Sequence, residues 1–227
     1  MTARKMKPED LLIIFDWDGT IYDSLALMYL SAVAVLRYDG VKEEKLPSMV
    51  EWLTGLRPPW MNWYRAWGLK RLTEPEVFGV FTDFMVRHYY NKSTFPGSVE
   101  SVKCLVECGV SVCVVTAQAY DHVSPVISRL GLAEVFPRER VFDRTIHASK
   151  VTKIGIAREK FPTRVAWQLA DSLSDTEEAK IAGVEPLAMC HEGRVSEWLV
   201  HPHKEKGAVQ CFKNFSEFDA WVQAQLA

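Results

Sequence analysis

Asp16 and Asp18 flank Trp17 and are followed at once by Gly19 and Thr20. Two carboxylates two residues apart, beside a glycine that lets backbone approach a ligand closely, concentrate negative charge at one point. Such a pair is costly unless a cation neutralises it, and carboxylate oxygens suit a hard metal such as Mg²⁺. The plainer alternative is two acids that end a strand and open a loop. The apolar run Leu11-Leu12-Ile13-Ile14 in front of them reads as a buried strand. That places the acids at a carboxyl edge, where open α/β sheets bind ligands.

Three further stretches carry polar groups where elements begin or end. Val112-Cys113-Val114-Val115 runs into Thr116, which puts a hydroxyl at a second strand edge. Ser149-Lys150 opens a helix. A cation there opposes the macrodipole and calls for an anion nearby, unless it is simply solvated. Lys153, one turn later, is its rival. Leu169-Ala170-Asp171 ends a third apolar run, and Asp175 follows four residues on. Asp175 reads equally well as a helix cap.

The elements between these stretches define the architecture. Ser24 caps an expected helix to about Tyr38, closed by Asp39-Gly40. From there to about Phe95 the chain shows helix-like pieces broken by Pro47, Gly55, Pro58-Pro59 and Gly68, and no convincing strand. Trp52, Trp60, Trp63 and Trp67 cluster in this region, and Thr73-Glu74-Pro75-Glu76 opens a helix to Tyr90. After Phe95-Pro96-Gly97 the rhythm becomes strand and helix in alternation. Strands are expected at Val110–Val115, Val141-Phe142, Val165–Leu169, Val184–Met189 and, as an edge, Val209–Phe212. Helices are expected at Ser98 to Gly109, Tyr120–Leu130, Ser149 to Lys160, Asp175–Ala182 and from a looser capping box at Ser216-Glu217-Phe218-Asp219. Alternation of this kind means right-handed crossovers and a parallel sheet.

With 227 residues the chain can bury one sizeable core. A net charge of −2 leaves no electrostatic footprint for nucleic acid. Its longest apolar stretches are too short to span a bilayer. Thr2 to Asp10 is polar, with no signal-type apolar region, so a cytoplasmic location is expected. The five cysteines form neither an even framework nor a CxxC pair and read as small buried hydrophobes. His147, His191, His201 and His203 fit no ligand spacing and read as solvated loop residues.

Asp16-Trp17-Asp18-Gly19-Thr20, then Thr116, Lys150 and the Asp171/Asp175 stretch, resemble in order the four signatures of the haloacid dehalogenase-like hydrolases. Ala117-Gln118 departs from the Asn or Gly common after the second signature, and Ala170 stands where Gly is usual. The resemblance implies an α/β fold, a Rossmann-like doubly wound parallel sheet core over residues 1–23 and 91–227. An all-helical cap domain over 24–90 would be inserted in it, as in the phosphoglycolate phosphatase and β-phosphoglucomutase branch.

It further implies that Asp16 is the nucleophile and Asp18 the general acid/base. Mg²⁺ would be held by Asp16, Asp171 and the carbonyl of Asp18, with Asp175 supporting from behind. Thr116, Ala117 and Lys150 would receive the phosphoryl group. In the cap, Gly55 and Arg57 would face the substrate. The expected function is therefore a Mg²⁺-dependent phosphatase acting on a small phosphorylated metabolite through a phosphoaspartate, as a monomer or homodimer with no nucleic-acid or membrane partner. A sugar-phosphate mutase on the same core, or a catalytically silent interaction module, are the alternatives.

Overall fold

The computed structural model describes residues 6–55 and 59–226. Its elements follow the order β1 (Leu11–Phe15), α1 (Leu25–Asp39), α2 (Met49–Gly55), α3 (Trp60–Ala66), α4 (Glu74–Tyr89), α5 (Ser98–Glu107), β2 (Ser111–Val115) and α6 (Tyr120–Arg129). Then come β3 (Val141–Phe142), α7 (Lys150–Lys160), β4 (Val165–Ala170), α8 (Leu173–Ile181), β5 (Glu185–Met189), α9 (Val200–Lys206), β6 (Gln210–Phe212) and α10 (Phe215–Gln225). The chain divides into two compact units, one built from the segments up to Tyr22 and from Thr94 onward, the other from Asp23–Ser93.

The first unit is a Rossmann-like parallel α/β fold. Among the described residues its strands form one sheet in the order β3-β2-β1-β4-β5-β6. Every neighbouring pair is parallel. β1 lies inside the sheet, with Phe15 level with Val114 on one side and Leu169 on the other. All five of its residues are buried, because helices and loops cover both sheet faces. Leu12 and Ile14 join Cys113, Val115, Ile154, Ala157 and Val184 on one face. Phe15 points to the other, edge-on to Phe136 and Phe218 with ring centroids at 6.5 and 6.2 Å. The ladder runs one residue past each of two strands: Asp16 N–H donates to the Leu169 carbonyl at 2.9 Å, and Thr116 N–H to that of Phe142 at 3.0 Å. Asp16, Thr116 and Asp171 are thereby set side by side at the carboxyl edge.

The inserted unit is helical, from α1 to α4. Its connection into α4 is tied by Asp39, which accepts from the N–H groups of Lys70, Arg71 and Leu72 at 2.7, 2.9 and 2.9 Å. Burial alone would raise this carboxyl's pKa, but the three donors outweigh it and hold it below the ordinary value. Thr73 opens α4 as expected, its N–H donating to Glu76 Oε2 at 2.8 Å. Trp52 and Trp63 are buried, and Trp60 and Trp67 are half-buried.

Several expectations are corrected. α8 begins at Leu173 rather than Asp175, because the Ser172 hydroxyl accepts from Asp175 N–H at 3.2 Å and is itself the cap. α10 begins at Phe215 under Asn214, whose Oδ1 accepts from Glu217 N–H at 2.9 Å, rather than at Ser216. α9 went unread, since His201-Pro202-His203 interrupts any apolar period. Cys104 and Cys108 are exposed, and only Cys113 and Cys190 are buried. Among the described residues no helix is long and apolar enough to cross a membrane.

Candidate active site

Asp16 leaves β1 into a tight loop. Gly19 N–H donates to the Tyr22 carbonyl at 2.9 Å, and Ile21 and Tyr22 N–H donate to that of Trp17 at 3.1 and 3.0 Å. Trp17 is fully buried and stacked on Tyr22 at 5.9 Å between centroids. Gly19 has φ +81°, and a Cβ built on it would lie 2.3 Å from Asp171 Oδ2. Only glycine allows the loop to come so near this carboxylate.

Around the loop the expected residues converge. Lys150, first residue of α7, donates from Nζ to Asp16 Oδ1 at 2.8 Å and to Asp175 Oδ1 at 2.6 Å. Asp175 Oδ2 accepts from the Ser172 hydroxyl at 2.8 Å, so cap and carboxylate hold one another. Thr20 donates to Asp171 Oδ1 at 3.3 Å. Asp18 is buried two residues beyond Asp16 and makes a bridge with Tyr22. The Thr116 hydroxyl accepts from Gln118 N–H at 3.1 Å, which leaves its own O–H to donate elsewhere. Ala117 is exposed between the buried Thr116 and Gln118. Lys153 reaches a different partner, the Thr116 carbonyl, at 2.5 Å. The ion pair to Asp16 therefore belongs to Lys150.

The electrostatics follow from burial. Asp16 is pushed up to about 7, chiefly by desolvation, with Lys150 pulling the other way. Asp171 is raised well above its ordinary value by burial and then by the charges of Asp16 and Asp175. For Lys150 burial disfavours the charge, but the two carboxylates outweigh it and raise its pKa. The Lys150 ammonium is shared between Asp16 and Asp175, and no donor reaches Asp171 Oδ2, so the site is short of positive charge there.

A hard cation fits that shortage. Ligand oxygens of Asp16, Asp171 and Asp175 lie within 4.8 Å of one another. Asp171 Oδ2 is buried with no hydrogen-bond partner, a state that costs free energy without a counter-ion. An all-carboxylate donor set suits Mg²⁺ rather than a soft metal.

Two residues missed in the sequence support the site from beneath. His191 and His203 are buried rather than solvated. His191 Nε2 donates to the Thr20 carbonyl at 3.1 Å, and its ring stacks on Phe95 with centroids 3.4 Å apart. His203 Nε2 donates to the Asp171 carbonyl at 3.1 Å, which leaves Nδ1 to accept from the Thr176 hydroxyl at 2.8 Å. Burial lowers both pKa values, that of His191 to about 4, so both rings are neutral. Their only sequence signal was an isolated histidine. His147 and His201 are exposed, as expected. In the inserted unit Gly55 closes α2 and is exposed. Arg57 lies outside the described residues.

Comparison with known proteins bears on the family and the fold. The family model described as haloacid dehalogenase-like hydrolase matches residues 13–189. A phosphoglycolate phosphatase of Haemophilus influenzae is 28% identical over 141 residues, which make up 58% of this chain and 62% of that enzyme. A phosphoglycolate phosphatase of Pseudomonas syringae pv. tomato is 26% identical over 189 residues, 79% of this chain and 69% of that enzyme. Among solved structures, a hydrolase from Pseudomonas syringae superposes with a TM-score of 0.77 at 13% identity, covering 95% of this chain and 98% of that one. A family hydrolase from Deinococcus radiodurans, crystallised with bound phosphate and sodium, gives 0.71 at 17% identity and covers 97% of both chains.

Proposed function

The chain belongs to the haloacid dehalogenase-like hydrolases, and on that premise we propose that it is a Mg²⁺-dependent phosphatase of a small phosphorylated metabolite, working through a phosphoaspartate. The observation that carries this reading is the Lys150 ammonium held between Asp16 and Asp175, beside the unpartnered Asp171 Oδ2. A carboxylate nucleophile, a fixed cation and an acid free to take a metal are a combination that phosphoryl transfer through an acyl phosphate can use. The phosphate bound in the Deinococcus radiodurans relative supports the same ligand chemistry.

In this reading Asp16 attacks phosphorus, and its new P–O bond forms as the bond to the leaving oxygen breaks. Asp18 gives that oxygen a proton. Asp18 then takes a proton from the water that hydrolyses the acyl phosphate and returns Asp16 to a carboxylate. Lys150 has two tasks: it pulls the Asp16 pKa back down against burial and so favours the carboxylate, and it neutralises an equatorial phosphoryl oxygen. The Thr116 O–H and Ala117 N–H donate to the same group. Mg²⁺ held by Asp16, Asp171 and the Asp18 carbonyl would supply the charge that lets two anions approach.

A panel of phosphorylated metabolites, assayed for free phosphate with Mg²⁺ and with chelator, tests the proposal. Mg²⁺-dependent release from at least one is expected. Transfer to a second position of the substrate without release would make the protein a mutase, and no turnover of any ester would remove the enzymatic reading.

A further inference from the structure

Lys153 is fully buried, yet the mechanism above leaves it without a task. It sits in the first turns of α7, where its N–H donates to the Ser149 carbonyl at 3.2 Å. Its ammonium is spent on a main-chain oxygen, that of Thr116, at 2.5 Å. Burying an ammonium is expensive, and burial, then the neighbouring Lys150, lowers its pKa to about 8. A group retained at such cost is doing something an apolar side chain would not.

The geometry of the Thr116–Ala117 peptide shows what that is. A trans peptide is planar, and its carbonyl and N–H point in opposite directions. With the Thr116 carbonyl tied to Lys153, the Ala117 N–H is aimed the other way. Thr116 is fixed at its other polar groups too, through its N–H to Phe142 and its hydroxyl from Gln118 N–H. Ala117 N–H itself has no acceptor among the described residues, and Ala117 is exposed at the carboxyl edge. We propose that Lys153 is a positioning residue: by holding the Thr116 carbonyl it presets the Ala117 N–H as a donor to the transferring phosphoryl group. This rests on the phosphatase reading. It assigns the two lysines of α7 separate work, Lys150 on side-chain charge and Lys153 on the direction of a backbone dipole.

The test compares wild type with Lys153→Met and Lys153→Arg, using an aryl phosphate as substrate and orthovanadate as a mimic of the five-coordinate phosphorus. Lys153→Met should lower kcat by roughly ten- to a hundredfold, somewhat less than loss of a direct oxyanion donor. KM and the Mg²⁺ concentration for half-activation should stay near wild type, while orthovanadate inhibition weakens by a similar factor to kcat. Lys153→Arg, which keeps a donor, should recover part of the loss. Unchanged kcat and orthovanadate inhibition in Lys153→Met would overturn the proposal, as would a loss explained entirely by weaker Mg²⁺ activation.

Should Lys153→Met fail to fold, wild-type protein labelled with ¹⁵N decides. Its Ala117 amide proton should move downfield on adding orthovanadate, and an unmoved resonance while inhibition is complete would overturn the assignment. A wild type that neither turns over the ester nor binds orthovanadate would instead refute the phosphatase reading beneath it.

Discussion

Gly19 and Asp171 meet so closely that a Cβ on the glycine would stand 2.3 Å from the carboxylate's Oδ2, the oxygen that has no hydrogen-bond partner. The backbone of the first signature thus closes directly over an acid of the fourth. Gly19→Ala should be costly twice, through a side chain at φ +81° and through displacement of Asp171. Strain of this kind is worth about 1–3 kcal/mol. The Mg²⁺ concentration for half-activation should rise tenfold or so in consequence. An alanine variant with wild-type Mg²⁺ activation would show that Asp171 is no ligand.

Asp16→Asn should remove turnover by several orders of magnitude, as loss of a nucleophile does. The fold should survive, because Lys150 keeps Asp175 as its partner at 2.6 Å. Ordinary activity in a folded Asp16→Asn protein would reject the mechanism. Circular dichroism alongside the phosphate-release assay makes the distinction.

Acidity and Mg²⁺ should compete for the same carboxylates. Asp16 ionises near 7 in the fold against 3.8 unfolded, so the folded state binds more protons across that window. Its contribution to stability is complete below 3.8 and is lost as pH rises through 7. A bound cation reverses the preference, and at about a hundred times its Kd adds ~2.7 kcal/mol. The difference in Tm between Mg²⁺ and chelator should therefore grow from pH 4 to pH 7. Asp171→Asn should shrink it. A pH-independent difference, or none, would count against metal binding here.

His191 should act in the opposite sense. Its pKa falls from 6.5 to about 4 on folding, so the unfolded chain binds the extra proton between those values. The stability it lends is present above 6.5 and is lost as pH falls toward 4, on the order of 3 kcal/mol in full. His191→Gln keeps a donor for the Thr20 carbonyl but cannot titrate. Its Tm should depend less on acid over that window than the wild-type Tm, read in chelator throughout. Parallel acid profiles for the two proteins would show that His191 is not the acid-sensitive group.

What was legible in the sequence is what lies where an apolar run stops. Asp16, Thr116 and Asp171 each follow a buried strand, and the parallel ladder then brings them together whatever the packing details. Lys150 and Lys153 could not be separated, since three residues apart they share a helix face and only side-chain reach assigns their partners. His191 and His203 were illegible because their burial comes from neighbours distant in the chain: Phe95 for one, Thr176 and Asp171 for the other. Helix starts were misplaced where two acceptable caps stood close together, Ser172 against Asp175 and Asn214 against Ser216.

The position of β1 has a consequence for synthesis. Of the strands in this sheet it is the first to be made, yet it pairs with β2 and β4, and Leu11 meets its neighbour only at Val165. Five wholly apolar residues therefore wait with both hydrogen-bonding edges open until β2 emerges, and with one edge open until β4 does, while the inserted helices emerge before either partner. Such a strand is the natural grip for a chaperone and the natural seed for misassembly. Nascent chains arrested before β4 should bind chaperones more strongly than chains arrested after it.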